Sequence, residues 1–221
     1  MSNTFDLQRY LKEGWELFNA NMANLVVATL VFLAVNFAAS FIPLGLGSIL
    51  VSGPITGGMY FLLLDLMKGE PFNVMRIFDG FKKFVPLVLV GLLTSIFIAA
   101  GMIFLILPGL LVAGWYLFPY LFVVDEDMDF WPAMEASREI GFQNHLNVFL
   151  MIIVLIMINI AGALALLVGL LVSIPLSFCV ILKAYQDIHG IKGLAVPATS
   201  SGAMGFTPPP PPPPPPPSTP E

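Results

Sequence analysis

The stretch FVPLVLVGLLTSIFIAAGMIFLILPGLLVAGWYLFPYLFVV, residues 84–124, contains no charged residue. A helix rises 1.5 Å per residue, so about 20 apolar residues cross the hydrocarbon core of a bilayer. The stretch is long enough for two crossings, and Pro108-Gly109 interrupts it. Because proline and glycine end helices and form turns, the stretch predicts a transmembrane hairpin with spans over 84–106 and 109–124.

Four further apolar segments flank this hairpin: 24–42, 47–67, 147–168 and 170–186. Pro43, Gly45 and Gly47 mark the turn of the first pair, and Gly169 marks that of the last. The chain is 57% hydrophobic and 10% charged, and so few charges cannot cover a water-soluble surface. We therefore predict an all-α, polytopic membrane protein with six transmembrane helices in three helical hairpins.

The positive charges predict the orientation of these hairpins. All nine Lys and Arg residues lie in the N-terminal segment, in the two longer loops, or at or after the end of the sixth span, and none lies at a hairpin turn. By the positive-inside rule, both termini are predicted to be cytoplasmic. The first apolar run is longer than the apolar region of a signal peptide, so we expect an uncleaved span. Without other targeting signals, a bacterial cytoplasmic membrane is the favoured location.

The chain also shows an internal repeat, with units over about 1–70, 71–129 and 130–190. A glycine and an aromatic residue precede each hairpin, an offset of 65 residues relates units one and two, and offsets of 123 and 121 relate units one and three. The recurring residues are Gly14, Gly80 and Gly141; Pro43 and Pro108; Pro54, Pro119 and Pro175; Asn24 and Asn147; Asn36 and Asn159; Ser52 and Ser173. Their common order predicts three repeated hairpins.

An amphipathic stretch introduces each unit. In the first, Leu7, Leu11, Trp15 and Phe18 recur at helical spacing between charged residues. Phe72, Met75, Phe78 and Phe81 repeat this pattern, and the third stretch follows Asp129, a predicted N-cap. We predict that each stretch is a helix lying in the membrane interface.

Polar residues within the spans form the candidate site. Asn36 and Asn159 lie near the middle of spans one and five, where an amide is costly unless it finds a hydrogen-bond partner. They predict either an interhelical hydrogen bond or the polar floor of a cavity. Small and proline residues on two other spans predict either close helix packing or a substrate-lining helix break. These residues are Ser52, Pro54 and Thr56 in span two, and Ser173, Pro175 and Ser177 in span six.

No constellation typical of catalysis is present. Asp125, Glu126, Asp127 and Asp129 lack the glycine and spaced glutamate of a calcium loop, so they predict a solvated loop. A single cysteine, Cys179, permits no internal disulfide. We therefore predict no enzyme activity, no cofactor and no metal site. The chain is also too weakly basic for a nucleic-acid partner.

The C-terminal segment, 191–221, has a different composition and ends in ten consecutive prolines, Pro208 to Pro217. Such a run adopts polyproline II, a pre-ordered rod that aromatic-lined grooves recognise. We predict a disordered, proline-rich cytoplasmic tail. It either docks a cytoplasmic protein through Pro208 to Pro217 or acts as a spacer.

Leu107-Pro108-Gly109, followed by residues 119–125 and Ala136-Ser137-Arg138, resembles a family of bacterial inner-membrane proteins of unknown function. The six-span region, roughly residues 1–190, is also similar to the membrane domain of some glycerophosphodiester phosphodiesterases. The catalytic barrel of those enzymes, with its metal-binding acids and histidines, is absent from the 221 residues. The resemblance thus implies a fold and no activity.

Two functions are compatible with these features. The first is a non-catalytic membrane protein that organises protein partners or membrane lipids, with the tail available for docking. The alternative is a small transporter or lipid-handling protein that uses a polar cavity inside the helix bundle.

Overall fold

The computed structural model describes residues 5–43 and 46–194, and these residues form helices without any strand. The α-helices are α1 (Leu7–Ala20), α2 (Met22–Ser40), α3 (Leu46–Met67), α4 (Phe84–Phe104), α5 (Ile106–Trp115), α6 (Pro119–Asp125), α7 (Phe130–Gln143), α8 (His145–Leu164) and α9 (Leu166–Ile188). A 3₁₀ segment, Val74–Lys83, precedes α4.

Six helical stretches are long and apolar enough to cross a membrane. They are Met22–Ser40, Gly47–Met67, Val74–Ile103, Leu107–Asp125, His145–Leu164 and Val168–Ile188. The prediction of an all-α chain with six spanning helices is confirmed. The molecule is therefore a multi-pass integral membrane protein.

The second and third hairpin turns lie a few residues from their predicted positions. Leu105, with extended backbone at φ −168° and ψ 154°, separates α4 from α5, so Pro108 falls in the first turn of α5. A proline is tolerated there because the first amides of a helix have no acceptor within it. Ala165 separates α8 from α9, which places Gly169 inside α9. In the first turn, Pro43 follows α2 as predicted, and Gly45 lies outside the described residues.

The fourth span is interrupted, whereas the sequence predicted one span over 109–124. Its first helix, α5, ends at Trp115, and α6 begins at Pro119. Pro119 has no amide hydrogen to continue the ladder of α5, and it favours the first position of a new helix. The apolar run is therefore divided between two short helices.

The six spans occupy two layers. In an apolar 18-residue window of each span, 56%, 44% and 44% of the residues are buried for α3, α9 and the fourth span, against 22%, 17% and 28% for the α2, α4 and α8 spans. The second span of each hairpin is thus inner, and the first is outer. Each outer helix contacts the inner helix of its own hairpin and that of another hairpin: α2 contacts α3 and α9, α4 contacts α3 and α5, and α8 contacts α9 and α5.

The three segments that precede the hairpins also contact inner helices. The first, α1, packs on α9, the 3₁₀ segment packs on α3, and α7 packs on α5 and α6. A glycine makes each approach close. A Cβ atom on Gly14 would lie 2.7 Å from Val180 Cγ2, one on Gly80 would lie 1.8 Å from the Pro54 carbonyl oxygen, and one on Gly141 would lie 2.5 Å from Trp115 Cα. Close packing thus requires glycine at these positions.

Candidate functional site

Charged residues join the N-terminal helix to the end of the last span. Tyr10 is fully buried, and its hydroxyl donates a hydrogen bond to Asp187 Oδ2 over 2.5 Å. Burial, together with this hydrogen bond, raises the pKa of Tyr10, so the phenol remains protonated and continues to donate. Arg9 forms an ion pair with the same carboxylate. These contacts connect α1 to α9 across 177 positions of the chain.

Asp125 connects three further segments at this end of the molecule. Its side chain is buried, and Oδ2 accepts hydrogen bonds from the Lys192 amide at 3.1 Å and the Tyr185 hydroxyl at 3.4 Å. The ammonium of Lys68, at the end of α3, lies 3.9 Å from Oδ1. The carboxylate thus joins α6 to α3, to α9 and to the backbone at the start of the C-terminal segment.

Basic residues of the loop after α3 complete this polar layer. Arg76 binds both Asp65 of α3 and Asp79 of its own segment. Lys83 donates to the Val123 carbonyl over 2.5 Å and pairs with Asp127. Direct contacts thus hold the charged ends of the spans together. We call the residues that make these contacts the charged layer: Arg9, Tyr10, Asp65, Lys68, Arg76, Asp79, Lys83, Asp125, Asp127, Tyr185, Asp187 and the Lys192 amide.

Ser137 of α7 enters the break in the fourth span. It is fully buried; its hydroxyl donates to the Trp115 carbonyl over 2.8 Å and accepts the Phe118 amide at 3.1 Å. Both backbone groups lie in the interruption between α5 and α6. The hydroxyl therefore replaces part of the hydrogen bonding that the interruption removes.

Replacing Ser137 with alanine should lower the free energy of unfolding by about 1 to 2 kcal/mol, because two buried backbone groups lose their partner. Denaturation of the detergent-solubilised protein, followed by circular dichroism, would measure the change. Ser95→Ala is the matched control, since Ser95 is exposed and its hydroxyl donates only to the Gly91 carbonyl of its own helix. Equal stability of the two variants would contradict the role of Ser137.

Three predicted site residues meet between α8 and α9. Asn159 donates one amide hydrogen to the Leu155 carbonyl at 2.8 Å and the other to Ser177 Oγ at 2.7 Å. Ser173 donates to Asn159 Oδ1 at 3.2 Å, and Ser177 donates to the Ser173 carbonyl at 2.7 Å. Asn159 thus forms the interhelical hydrogen bonds that one of its two interpretations predicted.

The remaining predicted residues do not join this cluster. Asn36 lies on the face of α2 that carries buried Leu25 and Thr29, and it donates to the Phe32 carbonyl at 2.8 Å. Among the described residues it has no interhelical hydrogen bond.

The predicted residues of α3 and the proline of α9 also lie outside the cluster. Ser52 and Thr56 are half-buried and form no side-chain hydrogen bond within the described chain. Pro54 is buried in α3, where its carbonyl oxygen faces Gly80. Pro175 is buried in α9.

A groove opens beside the cluster. It is shallow and open along one side, and the space along its walls is about 490 Å³. Its walls are Leu117, Ile152, Leu155, Ile156, Asn159, Ile160, Ala163, Ser177 and Ile181. Sequence reasoning identified two of these residues, Asn159 and Ser177. It missed the other seven, among them Leu117, which lies in the unanticipated break between α5 and α6.

The acidic run is only partly the solvated loop that the sequence predicted. Asp125 is buried, because Tyr185, Lys68 and the Lys192 amide surround it. Asp127 is exposed, and Asp129 caps α7 by accepting the Phe130 amide, as predicted. Within residues 5–43 and 46–194, no three His, Cys, Asp or Glu side chains lie close enough to hold a metal ion.

No family model, curated protein or solved structure matches the chain. The resemblance to six-span inner-membrane proteins and to phosphodiesterase membrane domains therefore stays a prediction. The predicted docking residues, Pro208 to Pro217, lie outside the described residues.

Proposed function

We propose that this integral membrane protein has no catalytic role and organises protein partners or lipids at the membrane. The observation that supports the proposal is the charged layer and its connection to the tail. Ile191 is buried, the Lys192 amide is bound to Asp125, and Leu194 packs against the core. A tail that starts from a fixed point on the helix bundle would present a docking segment at a defined place.

The same proposal includes three repeated units. The supporting pattern is cyclic: Gly14 of unit one contacts α9 of unit three, Gly80 of unit two contacts α3 of unit one, and Gly141 of unit three contacts α5 of unit two. The outer helices follow the same order in their contacts. Three similar units arranged in a ring would produce this pattern.

We place the charged layer on the cytoplasmic side of a bacterial cytoplasmic membrane, with both termini there. The charged layer contains Arg9, Lys68, Arg76, Lys83 and the Lys192 backbone. The positive-inside rule assigns such a surface to the cytoplasm. Exposed aromatic rings on the three preceding segments, including Trp15, Phe78 and Trp131, support an interfacial position for those segments.

In this role the ten prolines bind a cytoplasmic protein. Truncation after Ala195 should therefore remove specific proteins from material purified in mild detergent, as identified by mass spectrometry. A full-length chain with Pro208 to Pro217 replaced by a glycine-serine segment is the matched control for tail length. It should lose the same proteins, because docking requires the polyproline conformation. Retention of every protein by both variants would show that the tail is a spacer.

The groove favours lipid handling as a second candidate function. A transporter or lipid-handling protein needs a site within the hydrocarbon region, and Asn159 and Ser177 contribute to the groove wall. The break beside Leu117 resembles the interrupted helices that line transporter sites, although no charged residue lines the groove. Substitutions that fill the groove would abolish such a function while leaving tail-dependent partners bound.

A further inference from the structure

We propose that the groove between α8, α9 and Leu117 is a binding site for one acyl chain of a membrane phospholipid. This proposal rests on the second candidate function, lipid handling, and names the ligand of the groove. It does not depend on the docking role of the tail. It lies entirely within the described residues.

The shape of the groove suits a chain. Along α8 its wall extends from Ile152 to Ala163, a distance of about 16 Å at 1.5 Å per residue. The groove therefore runs along the spanning helices, in the direction that acyl chains take in a bilayer. Its rim is continuous with the lipid-facing side of α8, where Ile156 and Ile160 are exposed. A neighbouring phospholipid can enter from the side without leaving the membrane.

The chemistry of the wall excludes a headgroup. No wall residue is charged, and the remaining residues apart from Asn159 and Ser177 are aliphatic. Both amide hydrogens of Asn159 are donated to Leu155 and Ser177, and the Ser177 hydroxyl donates to Ser173. No side-chain donor in the wall remains for a phosphate or a carbonyl group. A saturated or unsaturated hydrocarbon chain needs none, so it is the occupant that the wall accepts.

The repeat proposed above explains why the groove is open in unit three. Asn36 and Asn159 are 123 residues apart, and the same offset pairs Phe32 with Leu155. Pro54 and Pro175 are 121 residues apart, and that offset pairs Tyr60 with Ile181. In unit one, Phe32 and Tyr60 both pack against Phe178, with ring centroids 5.8 Å and 5.0 Å away. In unit three the corresponding residues are smaller, and both line the groove.

The experiment uses the full chain in nanodiscs that contain a phospholipid with a photoreactive diazirine on one acyl chain. After illumination, labelled residues are mapped by peptide mass spectrometry. Ile156, Ile160 and Ile181 should be labelled several-fold more than Met157 and Leu164, although Met157 and Leu164 are 65% and 81% exposed. Labelling in proportion to exposure would overturn the proposal, because it would indicate bulk lipid alone.

The double substitution Leu155→Phe with Ile181→Phe should reduce groove labelling several-fold, since it restores aromatic volume at the two positions. Met157→Phe is the matched control on the lipid-facing side of the same helix and should leave groove labelling unchanged. A parallel arm uses a free fatty acid with the same diazirine. Groove labelling by the fatty acid but not by the phospholipid would overturn the assignment to phospholipid. This result would not bear on the proposed docking role of the tail, which the truncation after Ala195 tests.

Discussion

Gly80→Ala should lower the free energy of unfolding by about 3 kcal/mol or more. The added Cβ would lie 1.8 Å from the Pro54 carbonyl oxygen and 2.7 Å from the Gly58 amide nitrogen. Both are backbone atoms, so no side-chain rotation relieves the overlap. The 3₁₀ segment would have to separate from α3. Denaturant titration in mixed micelles measures the loss.

Gly114→Ala is the matched control for this substitution. Its nearest contact would be Val148 Cγ1 at 3.1 Å, and a side chain can shift by a few tenths of an ångström. Alanine also has a higher helix propensity than glycine, so this variant should remain within about 1 kcal/mol of the wild type. If the two glycine variants unfold at the same denaturant concentration, the close backbone contact at Gly80 is not important for stability.

Asp125→Asn should lower the free energy of unfolding by about 2 to 3 kcal/mol. The substitution removes a buried negative charge that accepts hydrogen bonds from the Tyr185 hydroxyl and the Lys192 amide and attracts Lys68. The NH₂ group of asparagine would place two N–H donors beside the Tyr185 hydroxyl and the Lys192 amide, which are themselves donors. Unfolding in denaturant gives the stability. Hydrogen exchange at the Lys192 amide, which should become faster, reports separately on the attachment of the tail.

Asp127→Asn serves as the control for loss of one carboxylate in the same loop. Asp127 is exposed and pairs with Lys83, and its backbone has φ 62°, a conformation that asparagine accepts readily. This variant should show no measurable change in stability or in Lys192 exchange. Faster Lys192 exchange in both variants would mean that net charge, and not the buried contact, holds the tail.

The six spans were predictable because their signal is local: a predominantly apolar run of sufficient length identifies a spanning helix wherever its neighbours lie. The glycines at positions 14, 80 and 141 were recognisable from their repeated order, although their packing partners were not. Asn159 was predictable as a polar residue that needs a partner in hydrocarbon. In each case the relevant physics acts within a single segment.

The features that sequence reasoning missed depend on contacts between distant segments. Ser137 follows an ordinary amphipathic pattern, and its role appears only when α7 lies beside the break in the fourth span. Pro119 gave a local signal for that break, but Pro54 and Pro175 remain inside continuous helices, so proline alone did not decide it. The burial of Asp125 likewise requires Lys68, Tyr185 and the Lys192 backbone to converge.

The contacts of α1 and α2 with α9 have a consequence for biosynthesis. A chain inserts into the membrane in the order in which it is translated, and α9 is made after the other five described spans. Tyr10 and Gly14 therefore meet their partners, Asp187 and Val180, only after helices α2 to α8 have been made. Contacts of such large sequence separation form slowly. The packing of α1 and α2 is thus completed late, and until then the surfaces that α9 will cover are open to chaperones and insertases.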